Sequence, residues 1–169
     1  MTLERLFATK PTTRNLVLRL LLALVIAPHG AQKLLGWFGG YGYAGTMAYF
    51  TETMHLPYVL GLFVVLSESV GALALAAGVF TRVAALGIGA SMVGAVVAVH
   101  AANGWFMNWF ATMPAGTEGV EFFLPVLGLA AFLVVEGAGK ASIDAYIARR
   151  LRTAGAQGSS NDGAAAAIR

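Results

Sequence analysis

The chain has 169 residues, 58% hydrophobic and 11% charged, against about 25% charged in an average soluble domain, and its mean hydropathy is +0.73. This excludes an ordinary water-soluble domain and points to one all-α membrane domain whose first partner is the lipid bilayer. The net charge of +3 comes from basic residues beside apolar blocks, with no aromatic-interleaved basic patch, so nucleic acid is not an expected partner and an anionic membrane surface is.

In chain order, residues 1–14 form a basic cytoplasmic lead with Arg5, Lys10 and Arg14, in which Leu3, Leu6 and Phe7 are spaced for a short interfacial turn before Pro11. The apolar run Leu16 to Ala27 invites comparison with a signal peptide. Pro28 and His29 fit a small-x-small cleavage site poorly, however, and three further apolar blocks follow, so the run is expected to be retained. The first span runs from about Asn15 to Phe38, roughly 34 Å at 1.5 Å per residue. Inside it Pro28 cannot donate to the carbonyl of Leu24, which kinks the helix where a polar face begins. That face carries His29, Gln32 and Lys33 at i, i+3 and i+4. Two readings stay open for it: a polar site built at a kink, or a packed interhelical contact with a lysine reaching the headgroups.

Gly36 to Tyr43, with Trp37 and Phe38, reads as an interfacial loop, and Thr46 to His55 as a short helix lying on the membrane. The second span, Leu56 to Phe80, holds one charge, Glu68, at its middle; Thr81-Arg82 is a tight turn. The third, Val83 to Val99, repeats small residues at Gly87, Ser91 and Ala95 and ends in His100 and Asn103. A second aromatic loop, Gly104 to Gly119 with Trp105, leads to a fourth span, Val120 to Ala138, with Glu121 and Glu136 at its ends. Residues 15–140 thus make the membrane domain, and 141–169 a basic helix end that fades into a Gly/Ser/Ala-rich tail, expected to be disordered. Apart from Lys33, every Lys and Arg falls on the side of the two termini and the Thr81 turn. The positive-inside rule then predicts a four-helix up-down bundle with both termini in the cytoplasm.

Counting along the helices puts His29 about 14 Å below Phe38 and Glu68 about 17 Å below Pro57, near one level. An ionised Glu68 is costly there, so it should be protonated or hydrogen-bonded, with His29 the first expected partner and Lys33 the second. Lys33, His100, Asn103 and Glu121 form an outer layer. Arg19 and Glu136, at matched depth on the first and last spans, are expected as a structural ion pair. Ser67 and Ser69 lack an ordered base, the glycines around Trp37 form no phosphate loop, and the depths of His29 and His100 disfavour a haem clamp. The absence of cysteine removes disulfides and thiolate-held metal. No metal, haem or nucleotide is therefore expected.

Together these stretches resemble the DoxX family of small bacterial membrane proteins. The resemblance rests on His29 to Leu34 with Gly36 to Gly40; Glu68 to Ala72 with Gly78, Thr81, Arg82, Ala84 and Ala85; His100 to Phe106; and Gly116-Thr117-Glu118 leading to Glu121, over about Asn15 to Asp144. It implies a four-helix protein of the bacterial cytoplasmic membrane, associated with sulfur or thiol redox chemistry, since relatives include the membrane subunit of a thiosulfate:quinone oxidoreductase.

Two functions follow as expectations. In the first, the chain is a subunit of a membrane oxidoreductase linked to the quinone pool: His29 and Glu68 are catalytic and carry protons, while Gln32, Lys33, Trp37, His100, Asn103, Trp105 and Glu121 surround quinone or an anionic donor. In the second, it is a non-catalytic anchor for a soluble or membrane redox or stress-response partner. Solute transport is weaker, because four helices enclose little space without homo-oligomerisation.

Overall fold

The computed structural model describes residues 3–114 and 116–153, and every regular element among them is a helix. α1 is Leu3–Phe7, α2 Thr13–Leu35, and α3 Gly42–Ala48, which runs on into a π-turn at Tyr49–Thr53. α4 is Tyr58–Ala77, α5 Thr81–Ala98, α6 Phe123–Glu136, and α7 covers residues 143–153. The tail read as disordered lies, beyond residue 153, outside the described residues.

Helix α2 starts where the Thr12 hydroxyl accepts from the Asn15 amide, and it ends at Gly36 in the left-handed region at φ 76°. Pro28 sits inside without ending it. Its buried residues, Asn15, Arg19, Leu22, Ala23, Ile26 and Gly30, recur every three to four positions, and α4, α5 and α6 each bury a similar stripe. The stripes meet in one core around Leu22, Ile26, Leu75, Ile88 and Leu133. The outward faces are also apolar: Leu24, Leu73, Leu86, Val97 and Val135 are all exposed while Asn15, Arg19, Glu68 and Asp144 are buried. A molecule apolar outside and polar inside is built for lipid.

Three helices, α2, α4 and α5, are long and apolar enough to cross a membrane. α6 is shorter than the expected Val120–Ala138 block, its 14 residues spanning about 21 Å. Hydropathy does not see what shortens it. At its start the backbone is drawn into the preceding loop, where Val120 donates to Gly104 (3.2 Å) and Glu121 to Trp105 (2.9 Å). At its end Gly137 and Gly139, both at positive φ, turn the chain away.

Helix α2 packs on α4, α4 on α5, α5 on α6, and α6 closes back on α2. Adjacent helices run antiparallel, because the start of α2 meets the end of α4 and the start of α5 meets the end of α6. These junctions define a terminal end of the bundle, held by arginines that cap their neighbours. Arg19 Nη1 donates to the carbonyls of Leu75 (2.5 Å) and Ala76 (3.0 Å), and Nη2 to Ala141 (3.1 Å). Arg82 donates to Val134, to Val135 (2.6 Å) and to Ala8 (2.9 Å). Asp144 of α7 caps α5 by accepting from the amides of Phe80 (2.8 Å) and Thr81 (2.9 Å).

The expected Arg19–Glu136 ion pair is therefore corrected. The carbonyls of Leu75 and Ala76 at the end of α4 take the buried guanidinium, that of Leu75 also accepting from the Gly78 amide. Glu136 pairs instead with Lys10 (3.2 Å), before α2, and with Arg14 (3.6 Å) in the first turn of that helix. Matched depth did not specify lateral neighbours.

Candidate functional site

At the opposite end, where the two long loops lie, α2 and α4 come closest at Gly30. A Cβ there would overlap the backbone of Glu68 and Ser69, so only glycine permits the approach. The approach lets Lys33, one turn further along α2, lay its stem back toward the N-terminus, the direction in which helical side chains lean. Lys33 Nζ lies 2.5 Å from Glu68 Oε2, with the glutamate side chain 4% exposed and the lysine 25%. Glu68 is thus held by Lys33, the second of the two expected partners. His29 is exposed and turns its ring toward Phe122, 6.0 Å away between centroids.

The ion pair opens on a cavity of about 420 Å³ whose polar lining is His29, Lys33, Glu68, His100 and Glu118. Its apolar wall comes from Met92 and Ala95 of α5, Met107 of the second loop, and Phe122 and Phe123 at the start of α6. His100 stacks at a tilt 4.6 Å from Phe123, and its Nδ1 is 2.6 Å from the Glu118 carbonyl. A carbonyl only accepts, so Nδ1 carries the hydrogen, and in the neutral ring Nε2 is the remaining acceptor. One sequence segment, residues 116–118, thus orients an imidazole lining the cavity.

Of the expected site residues, the fold gathers His29, Lys33, Glu68 and His100. The others serve the loops. Asn103 donates to the carbonyls of Gly116 (3.3 Å) and Glu118 (3.2 Å), and Glu121 accepts from the Met107 amide and the Trp109 indole, both at 3.1 Å. Gln32 donates to Phe38 (3.3 Å), closing the first loop. Trp37 and Trp105 are 60% and 54% exposed, and neither lines the cavity. Glu118, Met92, Met107 and Phe122 were missed as cavity residues. Glu118 had a signal in its Gly116-Thr117-Glu118 motif, but the return of that loop onto His100 is long-range and invisible to spacing. Among the described residues no group of three or more His, Asp or Glu is placed to hold a metal ion.

Apolar outer faces around a charged cavity between helices define a small helical membrane protein with a polar site in its bundle. The DoxX family model matches residues 15–101, just over half of the chain, and the chain belongs to the DoxX family. The match takes in α2 to α5 with His29, Lys33, Glu68 and His100, and stops short of Glu118 and α6. No curated protein and no solved structure matches the chain.

Proposed function

We propose that the chain crosses the bacterial cytoplasmic membrane four times, with both termini inside, and that its loop-end cavity binds the head of a quinone, as part of a membrane oxidoreductase fed by a sulfur or thiol donor. The observation that carries this reading is the Lys33–Glu68 pair, its carboxylate buried, opening on a cavity lined by two imidazoles, two phenylalanine rings and two thioethers. Intramembrane ionisable groups of this kind mark proton, ion or ligand paths. The fit is chemical: Phe122, Phe123, Met92 and Met107 suit a flat apolar ring, and Lys33 and the histidines suit two carbonyl oxygens. α6 completes its crossing with the turn that precedes it and with Gly137–Gly139.

When bound, a quinone supplies a place for two electrons and two protons; two thiols joining as a disulfide release the same number of each. Lys33 Nζ is the proton donor to a ligand oxygen. Glu68, 2.5 Å away, holds that nitrogen in place, and His29, exposed beside the cavity, resupplies the proton. His100, fixed through Nδ1, presents Nε2 either as acceptor or, once protonated, as donor.

The test is quinone reduction by the purified protein in lipid, with thiosulfate, sulfide and small thiols as donors, in wild type and Glu68→Gln. Turnover in wild type and its loss in a folded Glu68→Gln is the expected result. Equal turnover in both removes the proton role. A second reading, a non-catalytic anchor for a redox partner, is favoured by one observation: the loops present Trp37, Phe38, Trp105, Phe106, Trp109 and Phe110, all more than half exposed. Under it no donor supports reduction, and Glu68→Gln lowers stability or partner recovery alone.

A further inference from the structure

At the terminal end, α1 bridges two depressions that share Arg5 and Ala8. The larger, about 460 Å³, is bounded by Arg5, Ala8, Arg82, Val83, Leu86 and Val134. The smaller, about 270 Å³, adds Leu151 and Arg152 of α7. α1 is fixed over them by Phe7, buried and packed at a tilt on Phe80, 5.2 Å between ring centroids. Arg5 and Arg152 are exposed. Arg82 is held by carbonyls and, among the described residues, has no carboxylate within ion-pair distance. Below this basic mouth Val83 and Leu86 are 52% and 61% exposed, so an apolar wall continues along the outer face of α5.

Positive charge above an apolar track is the complement of a phospholipid with an anionic headgroup. The chain's own residues 154–169 are a poor occupant, since their charged side chains are only Asp162 and Arg169 and their one large aliphatic residue is Ile168. We propose that this groove binds an anionic phospholipid of the bilayer. Its phosphate sits between Arg5 and Arg152 with the charge of Arg82 behind it, and one acyl chain lies along Val83, Leu86 and Val134. The site is separate from the loop-end cavity and does not depend on the function proposed for it.

The test is native mass spectrometry of the delipidated full-length protein, titrated with phosphatidylglycerol and phosphatidylcholine of identical chains. Wild type should prefer phosphatidylglycerol, and Arg5→Gln with Arg152→Gln should weaken that binding by about fivefold per arginine removed. Lys140→Gln with Arg150→Gln removes the same charge from residues that do not line the groove, Arg150 being turned to Tyr146, and should leave the preference intact. Equal binding of the two lipids by wild type, or equal losses in the two double variants, overturns the proposal. So does displacement of the lipid by glycerol phosphate at equal concentration, which would make the apolar track irrelevant. A phosphatidylglycerol with a photoreactive acyl chain, bound to wild type, reads the same site without a variant: adducts should fall on Val83 to Leu86 or on Val134. Their absence there, with labelling elsewhere, contradicts it.

Discussion

Lys33 and Glu68 pair where the glutamate side chain is 4% exposed, so its carboxylate depends on the lysine for a partner. Lys33→Met leaves a carboxylate 3% exposed without its partner, and should cost about 3–5 kcal/mol of stability. The double variant Lys33→Met with Glu68→Leu should recover most of that loss. Thermal unfolding in one detergent measures both; similar melting of single and double variants would show that the two charges are not coupled. The polar set at this end was legible in sequence because ionisable side chains in apolar helices stand out. Which of His29 and Lys33 touches Glu68 was not, since it depends on how closely α2 approaches α4 and on the backward lean of a four-carbon stem. Asn103 and Glu121 read as ligand contacts for the same reason: a polar residue at a helix end looks alike whether it faces a cavity or ties a loop.

For the helices, the decisive positions are close approaches and caps. Gly30→Val places side-chain atoms against the backbone of Glu68 and Ser69 and must push α2 from α4. Overpacking of this kind costs about 1–3 kcal/mol, and here it should also break the Lys33–Glu68 contact. Its melting temperature should fall, and adding Lys33→Met should then cost little more; a full additional loss would mean that the pair survives. Asp144→Ala removes two bonds to the start of α5 and should cost about 1–2 kcal/mol, read from the same unfolding curves. An unchanged melting temperature would assign the capping to solvent. Three of the expected helices were readable to within a few residues, because apolar length and glycine stops are local. The fourth was overestimated, since the loop pairings that shorten it are long-range. The Arg19–Glu136 expectation failed likewise, because the acceptor carbonyls at the end of α4 leave no mark in the sequence.

On the scale of the whole molecule, the basic residues gather at the terminal end and the aromatic loops at the other, which sets the proposed orientation. As the chain has no cysteine, a single introduced thiol reports its own side. Phe110→Cys should react with a membrane-impermeant maleimide in intact spheroplasts, and Thr153→Cys only after lysis. The reverse pattern would invert the topology. The cavity belongs to the same scale, because α2, α4, α5, the second loop and the start of α6 each contribute to its lining and none forms it alone. Its occupancy is tested most directly by photolabelling the protein in lipid nanodiscs with a short-tailed quinone carrying a photoreactive group, then mapping the adducts. They are expected on Met92, Met107 or Phe122, should disappear when unlabelled quinone is added in excess, and should weaken strongly in Glu68→Gln. Adducts confined to the lipid-facing surfaces, unaffected by competitor and by Glu68→Gln, would contradict a quinone site in this bundle.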